Sequence, residues 1–179
     1  MSDITSKILL AAQQLGIVAK DRHHIVVTAE SCTGGGIAAA LTEVAGSSAW
    51  FEEGFVTYAA SAKVARLDVR PSLIETEGVV SEAVAQAMAR GVLARNASAT
   101  LSVAVTGVAG PGGGTVKTPV GTVCIGWGER FNESIVTCSR TIYVPGSRAT
   151  VREATVLVAL DGLMELMRFG NPALMPCEY

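Results

Sequence analysis

The chain has 179 residues, 14 basic and 16 acidic, for a net charge of −2, with only 17% charged and 5% aromatic residues. That balance excludes the basic, base-stacking surface of a nucleic-acid binder and the polybasic face that anionic membranes select, and it points to a small-molecule or protein partner. The length suits a single domain with a substantial core, and the longest apolar runs are too short to span a bilayer.

In chain order, residues 3–15 predict an amphipathic helix, with Ile4, Ile8, Leu9, Ala12 and Leu15 on one face, rather than a secretion signal. A strand at 25–29 and a small-residue helix at 36–44 follow, then a short strand at 54–58 and helices at 61–67 and 81–95. Pro71 starts a short helical turn that Gly78 ends, and Ser81 is the expected N-cap of the 81–95 helix, whose small residues permit close packing on a sheet. Strands at 101–106, 121–127 and 134–143 and a helix at 148–168 complete the domain. The order predicts an α/β fold: one domain over residues 1–170, a mixed sheet ending in an antiparallel meander, helices on both faces, and a frayed tail at 171–179. Cys32, Cys124, Cys138 and Cys177 form no C-x-x-C pair and have no histidine nearby, so neither a zinc site nor a disulfide framework is expected. A reducing, cytoplasmic setting fits that usage.

Two glycine-rich segments stand where strands end. Thr28-Ala29-Glu30-Ser31-Cys32-Thr33-Gly34-Gly35-Gly36 puts a hydroxyl at a strand-to-helix turn, where free N–H groups and the helix dipole favour an oxyanion or phosphate. Read blandly, it is a tight loop that needs flexible glycines. The second, Thr106-Gly107-Val108-Ala109-Gly110-Pro111-Gly112-Gly113-Gly114-Thr115, follows an apolar strand. It is neither a Walker A loop, lacking the lysine, nor a dinucleotide fingerprint, lacking the following helix, so ATP and NAD lose ground. It is either a ligand loop or a slack connection.

A serine nucleophile needs a base. His23 and His24 begin the first strand, and a rise of ~3.3 Å per residue sets residue 24 roughly 20 Å from residue 30, so they are read as a solvated strand cap. The remaining candidate is Lys63, set after Tyr58 in Val56-Thr57-Tyr58-Ala59-Ala60-Ser61-Ala62-Lys63. Burial and hydrogen bonds to the Tyr58 and Ser31 hydroxyls could bring its pKa from ~10.4 to about 7–8. On spacing alone a surface lysine remains the alternative. Cys32 competes with Ser31, since a thiol at a helix N-terminus can be activated, although neighbouring residues in a turn face different ways.

Five segments in this order resemble the CinA C-terminal domain family of nicotinamide-nucleotide amidases: Thr28 to Gly35; Val56-Thr57-Tyr58 with Lys63; Gly78 to Glu82; Thr106 to Gly113; and Pro119 to Val123. The resemblance covers about residues 5–168. It implies hydrolysis of nicotinamide mononucleotide to nicotinate mononucleotide and ammonia without metal or cofactor, and its serine, lysine and tyrosine fall on Ser31, Lys63 and Tyr58. With that family in view, Ser31 attacks the carboxamide and Lys63 moves the proton, and the N–H groups of Cys32 to Gly34, or of Gly107, hold the oxyanion. Glu30, Cys32, Thr33, Gly34, Gly35, Thr106, Gly107 and Gly110 are assigned to substrate binding, and Arg148 to the 5′-phosphate. A non-catalytic phosphate-binding protein, with Lys63 as a charged partner, is the alternative. Three departures stand out. Ser147 replaces an aspartate of the family's Phe-Pro-Gly-Asp-Arg run, here Val144-Pro145-Gly146-Ser147-Arg148, and Ala-Ala-Ser-Ala lies between Tyr58 and Lys63 where relatives are more polar. The additional N-terminal domain resembling molybdopterin-binding proteins, common in relatives, is not among these residues, and its function is expected to be absent. A homodimer is expected from the high apolar content and small-faced helices.

Overall fold

All five residues of strand β1 (Val26–Glu30) are buried, because it lies inside a sheet whose two faces are covered by helices. The computed structural model describes residues 3–169, so the expected tail at 171–179, with Cys177, lies outside the described residues. β1 pairs in parallel with β2 (Phe51–Val56) on one side and β3 (Leu101–Gly107) on the other. From β3 the sheet runs antiparallel through β4 (Thr122–Phe131) and β5 (Ser134–Tyr143), giving the order β2-β1-β3-β4-β5.

The connections explain the layers. The chain leaves β1 through α2 (Gly36–Thr42) to reach β2, then returns past β1 through α3 (Ala60–Leu67), α4 (Pro71–Glu77) and α5 (Glu82–Arg95) to reach β3. These crossovers run in opposite directions, and right-handed crossovers in opposite directions must use opposite faces. One core accordingly joins α2, α1 (Asp3–Asp21) and α6 (Arg148–Phe169) to Val26, Val103, Val105, Ile125 and Trp127. The other joins α3, α4 and α5 to Val27, Ala29 and Ala104. The reversal of direction leaves a crevice at the carboxyl ends of β1 and β3, the place where open α/β sheets bind ligands.

Close packing depends on small residues facing large ones. On β4, Gly126 lets α5 approach, since a Cβ there would lie 2.5 Å from the Ala85 carbonyl oxygen. On the opposite face Trp127 fills the space left by Gly162 of α6, and its Nε1 donates to the Ala159 carbonyl at 3.1 Å.

The α/β class, the mixed sheet and the two helical layers match the sequence reading, and three boundaries differ from it by more than two residues. α1 continues to Asp21 rather than residue 15: Gly16 looks like a stop in sequence, but it sits mid-helix because the Trp50 indole lies 2.8 Å from where its Cβ would be. β2 starts at Phe51, because the alternation through Glu52 and Glu53 continues a half-buried edge strand. β4 extends to Phe131, where Asn132, in the left-handed region at φ 55, turns the chain into β5. Among the described residues no helix is long and apolar enough to cross a membrane.

Candidate active site

Ser31 is the first residue beyond β1, and its N–H donates to the Val105 carbonyl of β3 at 3.1 Å, which fixes it at the sheet's crevice. Side chains alternate along a strand, so Val27, Ala29 and then Ser31 face the α3–α5 layer. Lys63, in the first turns of α3, meets Ser31 there. Its Nζ lies 2.9 Å from Ser31 Oγ, 2.8 Å from the Thr57 carbonyl oxygen and 3.2 Å from that of Tyr58. The two carbonyls are available because β1 ends at Glu30: the Thr57 N–H still pairs with the Glu30 carbonyl at 2.8 Å, and beyond it the chain turns off the sheet.

Lys63 is 0% exposed, and burial lowers its pKa from 10.5 to about 8. A Cys32 thiolate would oppose that shift, but burial pushes the Cys32 thiol up to about 11, so the thiolate is absent near neutrality. The same partners serve either protonation state. As an ammonium Lys63 donates to all three, and the Ser31 hydroxyl turns to the Tyr58 carbonyl at 3.3 Å; as a neutral amine its two N–H bonds go to the carbonyls and its lone pair takes the Ser31 hydroxyl proton instead.

Several expected site residues are brought together. Ser31, Lys63 and the Tyr58 backbone are in contact, but the expected bond from Lys63 to the Tyr58 hydroxyl is not formed. That hydroxyl, on an exposed ring, instead accepts from Arg148 Nη2 at 3.0 Å, while Arg148 Nη1 donates to the Gly110 carbonyl at 2.9 Å. Arg148 therefore ties the second glycine loop to the chain segment that holds Lys63. Ser147 caps α6, its Oγ accepting from the Thr150 N–H at 3.2 Å, so the departure from aspartate leaves the cap intact.

Other expected binding residues turn inward. Glu30 is fully buried beneath the turn with its carboxylate on the start of α2, so the anion at that helix N-terminus belongs to the protein and not to a substrate. Thr33 is 0% exposed and donates to Glu30 Oε2 at 2.7 Å. Cys32 is buried in the α1–α2–α6 core, on the face away from Lys63. The Gly34 N–H is taken by the Ser31 carbonyl at 3.0 Å and that of Gly35 by Glu30. Both glycines serve the turn, at φ 60 and 94. Thr106 is buried and donates to the Val79 carbonyl at 2.8 Å, pinning the segment before α5. Gly107 lacks a side chain because a Cβ would lie 2.8 Å from Val123 of β4. His24 pairs with Thr100 Oγ1 at 3.0 Å at the opposite end of β1.

Sequence reasoning missed Arg152, one turn after Arg148 on the same face of α6, which donates from Nη2 to the Thr33 carbonyl at 2.9 Å. The spacing of the two arginines was the available signal. It also missed the Thr57 carbonyl, which no side-chain pattern reveals.

These features define an α/β domain whose sheet crosses over in both directions from β1 and carries a hydrogen-bonded, buried serine–lysine pair at the reversal. The chain belongs to the CinA C-terminal domain family, whose model matches residues 10–167. It is 51% identical over 141 residues to nicotinamide-nucleotide amidohydrolase PncC of Pseudomonas putida, covering 79% of this chain and 85% of that protein. A CinA-like protein of Mycobacterium sp. (strain JLS) is 50% identical over 147 residues, 82% of this chain and 34% of that protein, so the chain spans about a third of that relative. Among solved structures, competence/damage inducible protein CihA from Agrobacterium tumefaciens matches with a TM-score of 0.83 at 43% identity, covering 89% of this chain and 95% of that one. The competence damage-inducible protein A of Klebsiella pneumoniae matches with a TM-score of 0.84 at 34% identity, covering 90% and 98%.

Proposed function

We propose that this chain is an amidohydrolase that converts nicotinamide mononucleotide to nicotinate mononucleotide and ammonia, with Ser31 as nucleophile and Lys63 as its base. The observation that carries this reading is the fully buried Lys63 Nζ, 2.9 Å from Ser31 Oγ, with two carbonyls on its N–H bonds. A lysine that only neutralised a phosphate would gain nothing from being buried against carbonyls and a hydroxyl. The substrate is taken from the Pseudomonas putida relative's name.

In this reading Ser31 Oγ bonds to the carboxamide carbon as its proton passes to Lys63, giving a tetrahedral oxyanion. The N–H groups of Cys32 and Thr33, which in the free protein face the Cys32 sulfur, lie in the turn beside Ser31, and these two are the donors we assign to that oxyanion. Each such donor is worth ~3–4 kcal/mol in the transition state. Collapse breaks the carbon–nitrogen bond, and Lys63 hands its proton to the leaving nitrogen, which departs as ammonia. Neutral Lys63 then takes a proton from water, whose oxygen attacks the acyl carbon, and returns it to Ser31 Oγ as the bond from that oxygen to the acyl carbon breaks; the acid product gives its remaining proton to solvent and leaves as the carboxylate. Arg148, at the start of α6, meets the 5′-phosphate, exchanging its bonds to Tyr58 and Gly110 for charge-assisted ones. We place the reaction in the cytoplasm and expect a homodimer, which sedimentation equilibrium would check.

The test is ammonia release from nicotinamide mononucleotide by the purified protein beside Ser31→Ala, Cys32→Ala and Lys63→Ala. Release that survives Cys32→Ala and is lost in the other two supports the serine–lysine amidase. Nucleotide binding without release by the unmodified protein would favour the phosphate-binding alternative.

A further inference from the structure

Glu30 and Ser31 are adjacent, and strand alternation sends them to opposite faces: Ser31 toward Lys63, Glu30 toward α2. Glu30 is 0% exposed, and among the described residues no lysine, arginine or histidine lies within ion-pair distance of it. A buried carboxylate without a counter-ion needs other compensation. It finds hydrogen-bond donors alone. Oε2 accepts from Thr33 Oγ1 at 2.7 Å and from the N–H groups of Gly35 and Ile37, each at 3.0 Å. Oε1 accepts from the Ala38 N–H at 2.9 Å, with Thr28 Oγ1 at 3.5 Å. These bonds join the end of β1 to the start of α2 across the turn that carries the nucleophile. Arg152 clasps the same turn from α6 through the Thr33 carbonyl.

We propose that Glu30 is the positioning residue of the nucleophile: its carboxylate, bonded to Thr33 and to three N–H groups at the start of α2, holds the turn so that Ser31 stays in register with Lys63. Glu30 touches neither substrate nor the reacting atoms. Its kinetic consequence rests on the amidase reading; its structural consequence does not.

Glu30→Gln tests this at constant size. Both carboxylate oxygens accept backbone N–H groups, so either placement of the glutamine amide sets its NH₂ against a donor. A small displacement of the nucleophile costs about 100-fold in rate. The expected result is a loss of that size in kcat for nicotinamide mononucleotide, with KM within about twofold. Thr33→Val removes one bond only, and is expected to lose about tenfold in kcat, a step equal to one net hydrogen bond. In the Glu30→Gln background it should add little.

The second readout is independent of activity. Cys32 lies next to Ser31 in the turn and is buried, and that burial is the main reason its thiol stays protonated and covered, with the Glu30 charge a smaller contribution. Glu30→Gln should therefore make Cys32 react with iodoacetamide in the folded protein, while buried Cys124 and Cys138, scored in the same peptide map, stay protected. Thr33→Val should give the same pattern more weakly, and decides the matter if Glu30→Gln fails to fold. Selective Cys32 labelling with reduced kcat supports the proposal. Labelling of all three cysteines overturns it in favour of general loosening, and so do unchanged kcat and an inert Cys32. Selective labelling in a protein that releases no ammonia supports the positioning of the turn and overturns the amidase reading alone.

Discussion

Lys63→Met separates the chemistry of the buried lysine from its effect on stability. Burial lowers the Lys63 pKa from 10.5 to about 8, so the folded chain holds fewer protons than the unfolded one between those values. Stability rises with pH wherever the unfolded state binds more protons, so the Lys63 contribution improves as pH climbs from about 8 to 10.5. Below that window both states carry the proton, and the full penalty of ~3.4 kcal/mol applies, at ~1.36 kcal/mol per pKa unit. About 2.5 kcal/mol of it is recovered between about pH 7 and pH 10 by the same linkage relation. Methionine fills similar space and does not titrate, but it removes the bonds to the Thr57 and Tyr58 carbonyls, at ~1 kcal/mol each, leaving Tyr58 only its bond from Ser31. The variant should thus be more stable than the parent by ~1 kcal/mol at neutral pH and less stable at about pH 10. Urea unfolding of both proteins at a series of pH values measures the difference. A difference that stays flat to within ~0.5 kcal/mol would show that Lys63 is not held near the assigned value. On the amidase reading, with Lys63 as the base, kcat/KM should rise with pH to a plateau above an apparent pKa of about 8, leaving roughly a tenth of the plateau at neutral pH. A plateau already reached by about pH 6.5 would refute Lys63 as the base.

Cys32→Ala should keep kcat within about threefold and lose ~1 kcal/mol in urea unfolding, because the thiol is a small core group. Loss of activity on that change would return Cys32 to contention as nucleophile. Tyr58→Phe should leave KM unchanged or slightly lowered and kcat within about twofold, since Lys63 uses the Tyr58 carbonyl and the hydroxyl serves only as a partner that Arg148 gives up to the phosphate. A fall in kcat with KM unchanged would place the phenol in the proton path. Gly162→Ala should destabilise by at least ~2 kcal/mol, because its Cβ would lie 2.2 Å from the Trp127 ring, and indole fluorescence should report the melt.

The fold was legible where periodicity and punctuation agree. Ser134–Tyr143 lies where its alternation placed it, and α6 begins at Arg148, just after the Pro145–Gly146 break. Legibility failed where a tertiary partner reversed a local signal, as at Gly16, a helix breaker in sequence and a notch for Trp50 in the fold. The candidate site divides the same way. Ser31 could be named from its strand-to-helix turn and Lys63 from the family resemblance, whereas the groups that hold Lys63 are main-chain carbonyls of Thr57 and Tyr58, which sequence shows only as spacing. The inward-facing half of the first glycine segment was misassigned for a related reason. A helix N-terminus preceded by a strand looks like an open anion site, and only the structure shows that Glu30 already fills it.

That occupation has a consequence for how the site divides its charges. With α2 capped from within, the exposed positive group beside the Tyr58 segment is Arg148 at the start of α6, whose bonds to Tyr58 and Gly110 are made to neutral oxygens that a phosphate would outcompete. Lys63, by contrast, is buried away from water, and that burial disfavours its charge. The two cations are therefore suited to different tasks: one exposed and permanently charged for binding, one buried and readily neutral for proton transfer. Exchanging their properties should fail in distinguishable ways. Lys63→Arg, which cannot lose its proton, should abolish turnover at every pH up to about 10, while Arg148→Lys should keep the kcat plateau and its apparent pKa of about 8 and raise KM. If Lys63→Arg retains turnover, the group at that position acts by charge rather than by proton transfer, and the division of labour between the two cations is wrong.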